Sequence, residues 1–181
     1  MAGTGCSALD EIVVRRMPGE RSRAHLAVGP LTLPAAIGRS GITIFKREGD
    51  GATPLASMGL IEGFYRADRR WRPETRLPMR PIRPGDGWCD APFHARYNRP
   101  VRLPFSASHE AMWRKDGLYD IVLVMDWNVR SRTMGRGSAI FMHLIRPGFL
   151  PTEGCIALRP RDMERLLRAV GEGTRITVKT D

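Results

Sequence analysis

The chain has 181 residues, of which 42% are hydrophobic and 27% are charged. A chain of this length can bury a sizeable core, and its composition excludes an intrinsically disordered protein. The formal charge of +10 at pH 7 predicts a surface that attracts anions, either nucleic acid or a substrate with several carboxylates, although arginine richness also often reflects codon usage.

Short strand-like stretches separated by turn residues predict a β-dominated fold, mainly β with few helices. No internal repeat or Gly/Ser-rich linker divides the chain, so residues 1–181 are expected to form a single domain. In chain order, the predicted strands are Glu11–Arg15, His25–Val28, Gly41–Phe45, Leu118–Trp127, Ser138–Leu144, Cys155–Leu158 and Thr174–Lys179. The fourth of these is the most apolar, which favours a central position in a sheet.

A long segment without regular periodicity, Tyr65–Pro84, lies between the third and fourth predicted strands. It contains seven arginines and four prolines, and repeated proline excludes a helix or a central strand. Long structureless loops often carry function. The segment is therefore predicted to be either a substrate-facing loop or a solvated loop that covers a sheet edge.

Two helices are predicted. Ser108 is a possible N-cap for a short helix over His109–Asp116, with Gly117 as its stop. The second helix, Pro160–Val170, has a proline at its first position and Gly171 after its end. Its apolar residues recur with helical spacing and predict a buried stripe that consists of Met163, Leu166, Leu167 and Val170.

The three cysteines, Cys6, Cys89 and Cys155, are far apart in sequence and cannot all pair, which argues against a disulfide framework. We interpret Cys6 and Cys89 as small buried apolar residues. Cys155 differs because it follows a glycine in a distinctive turn. It is the candidate nucleophile.

The segment Ser138–Leu144 places a histidine at the end of an apolar strand shortly before Cys155. Alternation puts Ala139, Phe141 and His143 on one face of that strand, and Ile140, Met142 and Leu144 on the other. A free thiol is mostly protonated at neutral pH, and a nearby histidine can make the thiolate available as an ion pair. The backbone N–H groups of Gly154 and Cys155 could form an oxyanion hole. The alternative for His143 is a buried structural histidine.

The residues around this pair resemble the catalytic segment of the L,D-transpeptidase (YkuD) family, in which a histidine on a strand precedes a Ser/Thr-x-Gly-Cys motif. The matching residues are His143 and residues 152–156 (TEGCI). Residues 49–54 (GDGATP) resemble the family's Gly-rich Thr-Pro turn. Residues 87–90 (GWCD), 97–100 (YNRP) and 137–141 (GSAIF) are similar to those of a short-chain bacterial subgroup.

The resemblance implies a β-sandwich of mixed sheets and a cysteine enzyme that needs no cofactor. Cys155 would attack the L,D bond before a terminal D-alanine of a peptidoglycan stem peptide, typically after diaminopimelate, with His143 as base and the Leu144 carbonyl orienting its ring. An amine acceptor gives a 3→3 cross-link. Water as acceptor gives an L,D-carboxypeptidase that trims muropeptides. Carbapenems acylate such a cysteine.

Substrate contacts are expected in a basic cleft, because the stem peptide carries carboxylates. The candidates are Thr152, Glu153, Trp88, Arg83, Arg99 and Arg146. Many family members have an arginine where this chain has Ala157, and Arg146 or Arg159 is the candidate replacement.

Two other classes remain as alternatives. A metal site is disfavoured because no HExxH or paired CxxC spacing exists. A nucleic-acid-binding module is supported by charge alone, without a recognition motif. No apolar run approaches the ~20 residues of a membrane span. Residues 1–23 lack the pattern of a signal peptide, which predicts a cytoplasmic protein, or a periplasmic one if the true start lies upstream.

Overall fold

The computed structural model describes residues 7–180, so the predicted burial of Cys6 lies outside the described residues. The strands in this part of the chain are β1 (Glu11–Arg16), β2 (Arg23–Val28), β3 (Leu31–Ala36), β4 (Ile42–Thr43), β5 (Thr53–Pro54), β6 (Ser57–Tyr65), β7 (Met79–Pro81), β8 (Asp86–Cys89), β9 (Arg99–Arg102), β10 (His109–Ala111), β11 (Ile121–Met125), β12 (Phe141–Leu144), β13 (Ile156–Leu158) and β14 (Arg175–Lys179). The helices are a 3₁₀ turn (Pro147–Phe149) and α1 (Pro160–Ala169). The predicted β-dominated class is confirmed.

Nine strands form one sheet in the order β11-β12-β13-β3-β2-β1-β14-β6-β7. β11 also pairs with β6, so the sheet closes on itself. The pairs β1–β14, β12–β13 and β6–β7 are parallel and most others are antiparallel, which confirms the prediction of mixed sheets. Closure gives β11 a second partner, so that fewer backbone groups stay unpaired at an open edge.

Two hydrophobic cores lie on opposite faces of β11 and β12. The inner core fills the closed sheet and includes Ile121, Leu123 and Met125, which alternate with Val122 and Val124 of the outer core. The outer core is covered by a small sheet of order β10-β8-β9. Burial of both faces explains why β11 is a continuous apolar run instead of an alternating one.

Helix α1 follows β13 and confirms the predicted helix, although it ends at Ala169 instead of Val170. Proline at its start has the backbone angle that a first helical turn requires. Its apolar face packs into the inner core through Met163, Leu166 and Leu167. Within residues 7–180, no helix is both long and apolar enough to cross a bilayer.

The predicted helix over His109–Asp116 is wrong. His109–Ala111 is a strand whose Glu110 lies opposite Trp88 in the small sheet. The Ser108 carbonyl accepts a hydrogen bond from the Asp90 N–H at 3.2 Å, so this residue continues the strand pairing beyond β10. Pairing with β8 satisfies backbone groups that a short isolated helix would leave to water, and tertiary context overrides the weak helical preference.

Besides β10, the strands β3, β5, β6, β7, β8 and β9 were missed. The burial patterns of β3 and β6 do not alternate cleanly, and β3 contains Pro34. The predicted strand Gly41–Phe45 is reduced to two residues. The remaining predicted strands are in place, with ends shifted by a few residues. Hydrogen bonding, and not composition, sets where a strand ends. Cys89 is fully buried, as predicted.

The segment Tyr65–Pro84 contains β7, which lies along the edge of the large sheet beside β6. An edge position tolerates proline, since one side of such a strand needs no ladder partner. None of its residues lines the cavity that holds Cys155. The structure therefore supports the edge-covering interpretation of this segment over the substrate-facing one.

Candidate active site

His143 and Cys155 lie on neighbouring parallel segments of the large sheet. Met142 pairs with Ile156 and His143 with Ala157, which places Cys155 just before β13 and beside Phe141. Neighbouring strands are about 4.8 Å apart with a rise of about 3.3 Å per residue, so a two-residue offset separates the two backbones by about 8 Å. Both side chains line one cavity of about 330 Å³.

The alternation predicted around His143 holds in the structure. Ala139 and Phe141 contact the outer core, while Ile140, Met142 and Leu144 belong to the inner core. The strand itself begins only at Phe141, because Ala139 adopts a left-handed backbone with φ of 51°.

The His143 ring is buried and held in one orientation. Its Nδ1 lies 2.8 Å from the carbonyl oxygen of Leu144, which can only accept, so Nδ1 carries the proton and Nε2 is the basic nitrogen. Tyr119 packs edge-on against the ring with centroids 5.4 Å apart. Burial lowers the pKa of His143 from 6.5 to about 4, so the imidazole is neutral at physiological pH.

The Cys155 side chain is half-buried, and its sulfur is engaged by backbone groups. The thiol donates to the carbonyl of Ala139 at 3.3 Å and accepts the N–H of Phe141 at 3.4 Å. Burial raises the pKa of Cys155 to about 12. The free protein therefore contains a neutral thiol and a neutral imidazole, not the preformed ion pair expected from the sequence.

Hydrogen bonds fix the turn that precedes Cys155. The Thr152 hydroxyl donates to the Cys155 carbonyl at 2.6 Å and accepts the Gly154 N–H at 3.2 Å. One of the two predicted oxyanion-hole donors, the Gly154 N–H, is thus already bound in the free protein.

The Gly-rich turn over residues 49–54 lies directly behind this segment. The buried Thr53 hydroxyl donates to the Gly154 carbonyl at 3.0 Å and accepts the Gly38 N–H at 2.9 Å. Gly154 has φ of +134°, and a Cβ there would lie 2.8 Å from the Ala52 carbonyl oxygen. Glycine is required at this position by both backbone angle and close approach.

The cavity carries charges of both signs, so the expectation of a basic cleft is wrong. Four acids line it, namely Glu48, Asp90, Glu110 and Glu153, against two arginines, Arg114 and Arg146. No other arginine within residues 7–180 lines this cavity, because net charge does not determine which side chains a fold brings together.

Arg114 is the lining residue that the sequence analysis missed. Its guanidinium is held by Asp116, with the closest contact at 2.6 Å, and lies over the Tyr119 ring at 5.0 Å from the centroid. The segment was predicted as a helix, which hid its position. Ala157 lines the cavity beside His143, whereas Arg159 stacks on Phe149, so Arg146 and Arg114 are the arginines available to a substrate here.

Three predicted substrate-binding residues do not line this cavity. Trp88 is a core residue whose Nε1 donates to Asn98 at 2.9 Å and whose ring packs edge-on against Phe141. Trp88 and Arg83 line a separate cavity of about 470 Å³, and Arg99 is absent from both linings. Thr152, Glu153 and Arg146 do line the cavity that holds Cys155.

Across residues 7–180, no group of three or more His, Cys, Asp or Glu side chains is placed to hold a metal ion. Searches among curated proteins and solved structures gave no significant match. The YkuD family model, which describes the L,D-transpeptidase catalytic domain, matches residues 24–178, a range that includes the Gly-rich turn, His143 and Cys155. The chain belongs to the L,D-transpeptidase (YkuD) catalytic domain family, whose members act on peptidoglycan peptides.

Proposed function

We propose that the chain is a cysteine acyltransferase that cleaves the L,D bond before the terminal D-alanine of a peptidoglycan stem peptide and passes the acyl group to an amine. The observation that carries this proposal is the shared cavity of Cys155 and His143, with His143 Nδ1 held by the Leu144 carbonyl. This arrangement leaves Nε2 as the acceptor for the thiol proton.

The neutral state of both groups defines the order of events. The thiol leaves the Ala139 carbonyl, gives its proton to His143 Nε2, and its sulfur attacks the carbonyl carbon of the L,D bond. The imidazolium then protonates the nitrogen of the departing D-alanine, and a thioester on Cys155 remains. An acceptor amine attacks the thioester, loses a proton to His143, and releases the thiol.

Stabilisation of the tetrahedral oxygen is assigned to backbone N–H groups of the turn before β13. The Cys155 N–H serves from its position at the start of the strand, and the Gly154 N–H joins it when the oxyanion competes with the Thr152 hydroxyl. An anionic oxygen is the stronger acceptor, because charge-assisted hydrogen bonds are about twice as strong as neutral ones.

Arg114 and Arg146 supply positive charge for a substrate carboxylate. Arg114 is oriented by Asp116 and Tyr119, whereas Arg146 is exposed at the cavity mouth. Arginine binds carboxylates in a bidentate fork, so these side chains replace the arginine that many family members carry at the position of Ala157. Thr152 and Glu153 form the rim on the side of the nucleophile.

The test is incubation of the purified protein with disaccharide tetrapeptide, followed by mass spectrometry of the products. A dimer that has lost one D-alanine supports transpeptidation, while free tripeptide supports the L,D-carboxypeptidase alternative, in which water is the acceptor. Cys155→Ala should form neither product, and Cys89→Ala, which alters a cysteine that does not line the cavity, should form the native product at a rate near that of the native protein. No conversion by the folded native protein would refute the proposal.

A further inference from the structure

The cavity of about 470 Å³ that Trp88 helps to line draws residues from both sheets. Phe64 of β6 belongs to the large sheet, and residues of β8 and β9 belong to the small one. Three of its apolar side chains, Trp88, Val101 and Met112, are at most 7% exposed. Within residues 7–180 it shares no lining residue with the cavity that holds Cys155. Its volume and partly apolar lining are typical of a small-molecule site.

This cavity has an excess of positive charge. The exposed arginines that line it are Arg80, Arg83, Arg96 and Arg102. One acid, Asp86, lines it as well and forms an ion pair with Arg102. Arg80 forms an ion pair with Glu62 of β6. Four arginines less two paired acids leave two positive charges, which belong to Arg83 and Arg96.

The two remaining arginines are held in place without a counter-charge. The Arg96 guanidinium donates to the Pro100 carbonyl at 3.3 Å, which is a neutral acceptor. The Arg83 backbone is fixed by Asp86, since its N–H donates to the carboxylate at 2.8 Å and its carbonyl accepts the Asp86 N–H at 2.9 Å. The Arg83 guanidinium has no hydrogen bond or ion pair within residues 7–180. Cations gathered at one concave site raise the local concentration of anions.

We propose that this cavity binds a phosphate monoester that carries an apolar group. Such a phosphate has a charge of about −1.5 to −2 at pH 7 and three strong acceptor oxygens, which matches the two positive charges of Arg83 and Arg96. Guanidinium groups bind phosphate through pairs of parallel hydrogen bonds. The apolar group lies against the side chains of Phe64, Val101 and Met112. The site is independent of the chemistry at Cys155.

The experiment is isothermal titration calorimetry of the full chain with phenyl phosphate. Arg83→Gln should raise the Kd at least about 10-fold, the lower range for loss of a hydrogen bond to a charged group. The variant should melt at the native temperature, because the Arg83 side chain makes no bond within residues 7–180. The matched control is Arg146→Gln, which alters an exposed arginine at the cavity of Cys155 and should keep the native Kd.

Further titrations test the class of ligand and its source. Inorganic phosphate, which lacks the apolar group, and benzoate, which carries a single charge, should both bind more weakly than phenyl phosphate. Co-sedimentation with phosphatidylcholine vesicles that contain phosphatidic acid tests a lipid source. Co-sedimentation that is lost in Arg83→Gln and kept in Arg146→Gln would identify a lipid phosphate. Binding of phenyl phosphate without such co-sedimentation would identify a soluble one.

Four results would overturn the assignment. They are the absence of saturable binding of phenyl phosphate, an unchanged Kd in folded Arg83→Gln, weaker binding in Arg146→Gln in place of Arg83→Gln, and binding of benzoate as tight as that of phenyl phosphate. The third result would place the anion in the cavity of Cys155. Because Cys155→Ala should keep the native Kd, this test and the test of the proposed function can fail separately.

Discussion

Replacement of Gly154 by alanine tests how the cysteine turn is held. Its φ of +134° is a region essentially reserved for glycine, and occupation by another residue costs about 1–3 kcal/mol. The new Cβ would also lie 2.8 Å from the Ala52 carbonyl, and forcing such backbone apart costs roughly 1–3 kcal/mol more. We therefore expect Gly154→Ala to lower the free energy of unfolding by about 2–6 kcal/mol.

Urea unfolding followed by tryptophan fluorescence measures this loss, and the melting temperature should fall by roughly 2–4 °C for each kcal/mol. The matched control is Gly173→Ala, where φ is +83° and no atom lies within 4 Å of the added Cβ. In that variant only the cost of a left-handed backbone applies, so the free energy of unfolding should fall by about 1–2 kcal/mol. Equal losses for the two variants would refute the reasoning that close packing of residues 49–54 fixes the turn.

Four further predictions concern the catalytic chemistry and the turn that supports it. His143→Gln should slow acylation of Cys155 at least ~10²-fold, while the exposed His25→Gln should keep the native rate; near-normal acylation in His143→Gln would assign the base elsewhere. Because burial lowers the pKa of His143 to about 4, the acylation rate should persist as pH falls below 6.5 and decline only near 4, and a decline centred at 6.5 would contradict a buried neutral base. The unfolded imidazole binds more protons between these two pKa values, so stability should also fall as pH drops through this window, and less so in His143→Gln, as measured by urea unfolding at each pH. Thr53→Val should cost about 1–3 kcal/mol in the same assay, since the Gly154 carbonyl loses its donor; unchanged stability would show that this hydroxyl does not support the turn.

The sequence predicted the elements whose identity depends on local pattern. Helix α1 combines a proline start with an apolar stripe, and both signals act within ten residues. The segment after Ser108 carried an equally plausible local signal for a helix, but its backbone pairs with β8, some twenty residues earlier. Such pairing depends on tertiary contacts that no local pattern contains, which is why β10 was predicted as a helix.

The same contrast between local pattern and tertiary contacts applies to the site. His143 and Cys155 are close in sequence, and both line one cavity. Alternation predicted only the face of the strand on which His143 lies. Other lining residues come from Asp90 after β8, from β10 and from the loop that carries Arg114, and this composition was not predictable from net charge. The protonation state also required the structure, because burial and not residue type makes both groups neutral.

Covalent labelling of Cys155 tests the central claim most directly. The native protein is incubated with a carbapenem, and intact-protein mass spectrometry and peptide mapping identify the adduct. We predict one adduct per chain, located on Cys155, retained in Cys6→Ala and Cys89→Ala, and absent from Cys155→Ala. An adduct that persists in folded Cys155→Ala, or that maps to another residue, would contradict the assignment of Cys155 as the nucleophile.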